Sequence, residues 1–507
     1  MSSLPKGWSP ALLDDVMSKV IGGGTPSRNI SDYFDGEIPW FTVKDLKSLR
    51  PNNAQEHISQ KAVDNSATNV IPANTLIVAT RIALGKAIKP TVSCAINQDL
   101  KAIVFHSGID VEFMLYWVLA NERSIQKMGS GTTVLGIRLE QLHSLPLLLP
   151  PTGEQTRIVT KLEELLSDLD AGVAELKAAQ KKLAQYRQSL LKAAVDGSLT
   201  AEWRKNNPPT ETGAELLERI LKGRRACWEE KQLTKFKEQG KIPTKEWQNK
   251  YPEPVQPDSA GLPKLPKSWV WASAEQLCEF ITKGTTPPKE LDSNGAKVIP
   301  FLRVTNLTDT GTLDLADKVF VSEQTHHGFL ARSAVYPKDV LMNIVGPPLG
   351  QVSVVPSTYD EWNINQAIAI FRAVEGVEPW LVCRYLLSPN AQTWLTARSK
   401  TTAGQTNLTL EVCRNLPIPL APQLEQDQLL IALETALSSI SQQQETIEVS
   451  LKQAAAQRQN ILRAAFAGQL VPQDPNDEPA SVLLDRIRAE RTGQAIPKAR
   501  GRKKITS

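Results

Sequence analysis

The sequence predicts a mixed α/β (α+β) protein: two globular domains in tandem repeat, joined by two long helices paired as an antiparallel coiled coil. Three observations predict it: an internal duplication, a heptad pattern of leucines, and globular stretches that mix strand-like runs with short helices. The duplication is read first, because a missed repeat misassigns the whole fold. Leu4-Pro5-Lys6-Gly7-Trp8 returns as Leu265-Pro266-Lys267-Ser268-Trp269, and Ile38–Val43 returns as Ile299–Val304, both at an offset of 261. Leu84-Gly85-Lys86 then matches Leu349-Gly350-Gln351, and Ile96-Asn97-Gln98 matches Ile364-Asn365-Gln366. From Leu145-Pro146 against Leu416-Pro417 the offset is 271 and stays there. It carries Glu154-Gln155 onto Glu425-Gln426, Arg187 onto Arg458, and Ala193-Ala194 with Gly197 onto Ala464-Ala465 with Gly468. Leu216–Ile220 finally returns as Leu483–Ile487. Insertions are thus confined to the first part of each copy, and the segments 151–200 and 422–471 tolerate none.

Those invariant segments read as helices. Leu162, Leu169, Leu176, Leu183 and Leu190 recur every seven residues, and Leu433, Ile440, Ile447, Ala454 and Ile461 occupy the same seam in the second copy. A sustained seven-residue apolar repeat is the signature of a coiled-coil seam. No proline interrupts Thr152 to Val195 or Gln423 to Phe466. Gly172, Ala179 and Ala193 at intervening positions suggest close approach of a partner helix. The economical partner is the other copy's helix.

The remaining boundaries follow. Residues 1–150 and 265–420 are the globular domains, with strand-like runs at Thr75–Ala79, Ala102–Phe105, Val352–Val355 and Ala367–Phe371 and a helix over Glu112–Ser124. Residues 151–200 and 421–471 are the spacer helices. Residues 201–264 form a charged, proline-punctuated connector with one short amphipathic helix around Ala214–Gly223. Residues 472–507 hold a second short amphipathic helix and a basic tail, Lys498 to Lys504.

Composition excludes several classes. Of 507 residues 58 are basic and 54 acidic, a net +4, so charge neither marks nor excludes a DNA-binding protein. Hydrophobic content of 41% supplies real cores. The most apolar stretch, Val111–Ala120, holds Glu112 and is far short of the roughly 20 residues a bilayer needs. The start of the chain lacks a secretion-signal pattern, and Cys94, Cys227, Cys278, Cys383 and Cys413 show no C-x-x-C spacing. They read as reduced core thiols of a cytoplasmic protein.

Catalytic motifs are poorly supported. Asn207-Pro208-Pro209-Thr210 resembles an amino-methyltransferase tetrapeptide, but its fourth residue is not aromatic, and a proline turn is the better reading. Gly85-Lys86 lacks the rest of a phosphate-binding loop, and its repeat has Gln351 in place of the lysine. Gly22-Gly23-Gly24 reads as a turn. His326-His327 is expected to diverge on a solvated turn, and no metal-ligand spacing is present. What recurs instead are polar, glycine-bearing loops. Lys127–Thr133 aligns with Arg398–Gly404, followed by Gln405. Glycine lets backbone N–H groups approach phosphates, while Arg, Lys and Thr donate to phosphates and base edges.

The layout resembles the specificity (S) subunit of Type I restriction-modification systems. The resemblance rests on the Leu-Pro-x-Gly/Ser-Trp openings, the Gly-Thr-Thr loop at 131–133, and the Leu-Pro to Glu-Gln runs at 145–155 and 416–426. The helix ends at 187–199 and 458–470 and the Pro479–Arg491 segment extend it over nearly the whole chain. Thr401-Thr402-Ala403-Gly404 departs from the clean Gly-Thr-Thr loop in the second copy. The resemblance implies two target recognition domains, each reading one half of an asymmetric two-part site in double-stranded DNA, with the helices as a ruler for the spacer. It implies two modification (methyltransferase) subunits, which bind S-adenosylmethionine and methylate adenine, and restriction (translocase/nuclease) subunits, which use ATP and Mg. This chain is then expected to bind no cofactor or metal and to have no catalytic residue, in a bacterial or archaeal cytoplasm with no membrane partner.

Expected DNA contacts in the first copy are Lys44, Arg81, Lys86, Lys127, Thr132, Thr133 and Arg138. In the second they are Arg303, Asn306, Asn343, Arg398, Lys400, Thr401, Thr402 and Gln405. Arg and Lys suit guanine, Asn and Gln adenine. The Leu216–Ile220 and Leu483–Ile487 helices are expected to help dock modification subunits, as an alternative to capping the coiled coil. The rival classes are a coiled-coil protein-interaction scaffold and a free-standing DNA methyltransferase.

Overall fold

The computed structural model describes residues 4–130, 135–243, 245–258, 260–288, 296–402 and 404–493. The Gly131-Thr132-Thr133 loop, the side chain of Thr402 and the Lys498–Lys504 tail lie outside the described residues. Two compact units emerge: Met1–Lys177 with Glu448–Ser507, and Ala178–Ile447. The long helices, Thr152–Val195 and Gln423–Phe466, are each 44 residues as expected, but the division falls inside both rather than at their ends. The cause is packing, since the two ends of each helix bury their apolar residues in different cores.

In the first unit, Met17–Gly22, Leu100–Phe105, Leu76–Ala79 and Ala87–Ile88 form one four-stranded sheet. Glu56–Ile58, Ile38–Phe41, Cys94–Ile96 and Val70–Ile71 form another. A two-stranded ribbon pairs Ser9–Leu12 with Pro146–Leu149 and delivers the chain into the long helix. Helices Val111–Ala120 and Glu122–Met128 cover the first sheet; Asp110 caps the former by accepting from the Glu112 and Phe113 amides. The core joins Trp8, Phe113 and Trp117 to Leu162 and Leu166, and also to Ile461, Leu462 and Ala465.

The second unit repeats this plan. Cys278–Lys283, Ile368–Ala373, Val340–Asn343 and Val352–Val354 form its four-stranded sheet. Val319–Ser322, Lys297–Leu302 and Asn363–Ile364 form the second sheet. Val270–Ser273 pairs with Pro417–Leu420, where Val270 faces Leu420 as Ser9 faces Leu149. Its core joins Trp269 and Tyr385 to Leu190, Leu191 and Ala194, and to Leu429 and Leu433.

Along the expected seam Leu162, Leu190, Leu433, Ile440, Ile447 and Ile461 are buried. Leu169, Leu176, Leu183 and Ala454 are half-buried. Gly172 does not mark a close approach as expected, because a Cβ built there meets nothing within 4 Å.

The short helices are anchored in a common way. Helix Ala480–Gly493 buries Leu483, Leu484 and Ile487 in the core of the first unit, and helix Gly213–Glu238 buries Leu216 and Ile220 in that of the second. Their anchors correspond atom for atom. Ala480 N donates to Gly7 O at 2.9 Å, and Gly213 N donates to Ser268 O at 2.7 Å. Arg491 Nη2 donates to Asp14 O and Met17 O, and Arg224 Nη1 to Glu275 O and Cys278 O. The apolar faces of both helices are therefore occupied by the chain's own domains, while Asp485 and Arg486 lie exposed. The connector helix is also longer than the expected Ala214–Gly223 turn. Trp228 stacks on Trp247 with centroids 5.9 Å apart, and Phe236 meets the edge of the same ring, which anchors the added turns.

Burial pushes the Cys94, Cys278, Cys383 and Cys413 thiols up to about 12. Cys227 is exposed on the connector helix, not in a core as expected. Among the described residues no helix is long and apolar enough to cross a membrane.

Candidate nucleic-acid interface

The sequence-predicted contacts separate into two groups. The first gathers on a pair of loops repeated in each unit. In the first unit, loop 80–86 is tied to loop 129–137: Ile137 N donates to Thr80 O at 2.9 Å and Ile82 N to Leu135 O at 3.0 Å. This places Arg81 and Lys86 on one loop, with Lys127 and Arg138 just before and just after the other. Arg81 is half exposed and lies 3.5 Å from the Asp99 carboxylate, itself nearly buried. Gly85 has φ 81°, and a Cβ there would come within 2.7 Å of Glu122 Cα, so the loop lies flat against helix Glu122–Met128.

The second unit builds the same junction as a small sheet, with Gln405–Asn407 between Val345–Gly346 and Lys400–Thr402. Lys400, Thr401 and Gln405 are exposed on it. Arg398 ends helix Pro389–Arg398, its guanidinium 4.1 Å from the centre of the Trp394 ring. Among the described residues Lys44, Lys86, Lys127, Arg138, Arg398 and Lys400 form no salt bridge. They are exposed cations available to a polyanion.

The second group is framework, and two predicted contacts are corrected. Asn306 is buried: its Oδ1 accepts from Arg303 N, and its Nδ2 donates to Asp314 O at 2.9 Å and Asp317 O at 3.1 Å. It caps the turn after strand Lys297–Leu302, as Asp45 caps Thr42 in the first copy. Asn343 is fully buried: Nδ2 donates to Pro348 O at 2.5 Å and Oδ1 accepts from Val345 N at 3.0 Å. Every polar atom of both amides serves the protein's own backbone, so neither is free to read an adenine. Arg303 is half-buried and paired with Asp317, and Lys44 sits on the second sheet's turn, away from the paired loops. Thr132 and Thr133 cannot be placed, as they lie outside the described residues.

Other repeated motifs turn out to be framework as well. A Cβ on Gly23 would come within 2.0 Å of Ile96 O, and one on Gly284 within 2.2 Å of Ile364 O. These contacts explain why Ile-Asn-Gln recurs. Thr25 and Thr286 hydroxyls then donate to Gln98 and Gln366. Sequence reasoning saw these repeats but could not tell a shared scaffold from a shared contact.

The histidine pair is also corrected. His326 is buried rather than solvated, and the two rings do not diverge. His326 Nε2 and His327 Nε2 lie 3.5 and 3.6 Å from Glu361 Oε2, close enough for the three side chains to surround a cation. However, Asn363 Nδ2 donates to His326 Nδ1 at 3.0 Å, while Asn363 Oδ1 accepts from Ile364 N. The neutral imidazole therefore carries its hydrogen on Nε2, the nitrogen a metal ion would need free.

Residues 5–179 match the family described as Type I restriction modification DNA specificity domain. The EcoDI specificity subunit of Escherichia coli is 24% identical, covering 99% of both chains. The EcoBI specificity subunit of Escherichia coli is 26% identical, covering 99% of this chain and 96% of its own. Across nearly its whole length the chain is similar to Type I specificity subunits. The matched family description names a DNA specificity domain, and both relatives are named as specificity subunits. One solved chain shares the fold with a TM-score of 0.64 at 18% identity, over 92% of this chain and all of its own. It is described as "Structural basis underlying complex assembly and conformational transition of the type I R-M system".

Proposed function

We propose that each globular domain is a target recognition domain that reads one half of an asymmetric, two-part site in double-stranded DNA. The observation that carries this reading is the recurrence of one basic loop pair on the same scaffold in both units, with different side chains on its surface. A shared scaffold with divergent loops suits two readers of two sequences. Arg81, Lys86, Lys127 and Arg138 serve one half-site, and Arg398, Lys400, Thr401 and Gln405 the other; Lys44, Arg303, Thr132, Thr133 and Thr402 are further candidates.

The long helices act as the ruler between half-sites, paired antiparallel. Asp170 pairs with Arg458, and nearer the start of the first helix Leu162 and Leu166 share a core with Ile461 and Leu462, so numbers rise along one helix as they fall along the other. This supports the pairing, as does the seam burial in each unit. The chain directs chemistry done elsewhere. Modification subunits methylate adenine with S-adenosylmethionine, and restriction subunits cleave with ATP and Mg, all in the cytoplasm. The chain alone is non-catalytic.

Methylation profiling of DNA modified by the chain with its modification subunits tests the reading. Two short sequence blocks separated by a fixed unspecified gap are expected. A single contiguous motif, or no sequence preference, contradicts it; the latter would favour the scaffold reading.

A further inference from the structure

We infer that Ile82 and Leu135 form an apolar reading element in the first unit, contacting the methyl group of a thymine in the major groove. The inference rests on the DNA-reading role proposed above and names what one loop pair recognises.

Three observations carry it. Ile82 is 58% exposed and Leu135 52% exposed, two large aliphatic side chains in water where burial is the norm. They are adjacent, joined by the Ile82 N to Leu135 O hydrogen bond, and line one cleft with Lys86 and Gln126. Ile82 also has φ 65°, in the left-handed region. A β-branched residue is a genuine outlier there, and such strain persists only where the surroundings over-determine it.

The surroundings do so. Thr80 N donates to Asp99 O at 2.9 Å, and Ile137 N to Thr80 O at 2.9 Å. Gly85 lies against Glu122, and a Cβ on Gly129 would come within 2.5 Å of Leu84 Cδ1. The loop is therefore a fixed platform that holds an isoleucine outward at an energetic disadvantage. Glycine would adopt this backbone without strain, so the loop's own geometry does not call for the isoleucine side chain.

The charge around it selects the occupant. Arg81 and Lys86 flank Ile82 in its loop, while Lys127, in helix Glu122–Met128, and Arg138 stand on either side of the loop that holds Leu135. The cleft itself is lined by Lys86 and Glu122, and Arg81 beside it lies 3.5 Å from Asp99. An apolar tip beside exposed Lys86 and Arg81 suits a duplex, whose phosphates surround the one apolar group exposed on its major-groove base edges, the thymine methyl. In the second unit Pro347 and Thr406 stand at the equivalent places, so the two loop pairs would differ in this preference.

The test uses the full chain with its modification subunits and duplexes in which each thymine of the half-sites is replaced by deoxyuridine. Wild type should bind about fourfold more weakly at one or two first-half-site positions, the loss of one buried methyl at about 0.8 kcal/mol. Ile82→Ala and Leu135→Ala should abolish that sensitivity and leave second-half-site responses unchanged. Ile82→Gly should also abolish it while unfolding at an equal or higher temperature, which a structural role for Ile82 forbids. Retained sequence preference with no deoxyuridine effect, or an effect that survives in Ile82→Ala, overturns this inference alone. Variants that lose subunit assembly but keep thymine sensitivity overturn it in favour of a protein-binding tip. Loss of all sequence preference in wild type overturns the DNA-reading role itself.

Discussion

The same Trp and Glu are buried in both copies, yet they are partnered differently. In the second unit Glu425 accepts from Trp269 Nε1 at 2.8 Å, from Thr200 Oγ1 at 2.7 Å and from Arg204 Nε at 2.8 Å, with the guanidinium 5.6 Å from the Trp269 ring centre. In the first unit Glu154 accepts only from Gln473 at 3.2 Å, and Trp8 Nε1 and Glu154 Oε2 are buried with no hydrogen-bond partner. The difference lies outside the motif. At the offset of 271, Val471 replaces Thr200 and Pro475 replaces Arg204. Duplication kept the fold position of the Trp–Glu clasp and let its partners diverge, so a shared motif does not guarantee a shared interaction.

The clasp offers the largest effect with which to break this comparison. Glu425→Ala leaves the Arg204 charge, the Trp269 N–H and the Thr200 hydroxyl without their acceptor, and should cost about 3–5 kcal/mol in urea unfolding of the full chain. Glu154→Ala removes one amide contact and should cost about 1 kcal/mol or less. Equal costs would show that the unpartnered groups of the first unit are held by interactions of equal worth.

A smaller contrast concerns pH. Burial holds His326 below the ordinary histidine range, and the Asn363 amide facing Nδ1 opposes protonation further. Below about pH 6.5 the unfolded chain takes up the proton that the folded imidazole refuses. Stability of the second unit should therefore be full above that pH and fall as the pH drops, by at most about 1.4 kcal/mol per pH unit. His326→Gln should flatten the decline of the unfolding midpoint between pH 7 and pH 5. An unchanged slope in the variant would place the pH dependence elsewhere.

The architecture was legible in the sequence where periodicity and repetition encode it. The heptads located both long helices, and the offsets of 261 and 271 aligned the ribbons Ser9–Leu12 and Val270–Ser273 with their partners. Less was legible where one residue type serves two roles. Asn306 and Asn343 looked like adenine readers because a surface amide and a turn-capping amide are the same in one dimension. Leu216 and Leu483 left their burial site open, because an amphipathic helix does not announce which core receives it. Ile82 escaped notice altogether, since exposure and a positive φ exist only once the loop is folded. The one usable signal was the chemical contrast between Ile82 and Pro347 at matched positions in the repeat.

The central claim is that each globular domain reads its own half-site. Exchanging residues 1–150 for the equivalent domain of another family member, followed by methylation profiling with the modification subunits, tests it most directly. The account predicts that one sequence block changes while the other block and the gap between them stay the same. A chimera that assembles yet changes both blocks, or neither, would contradict it.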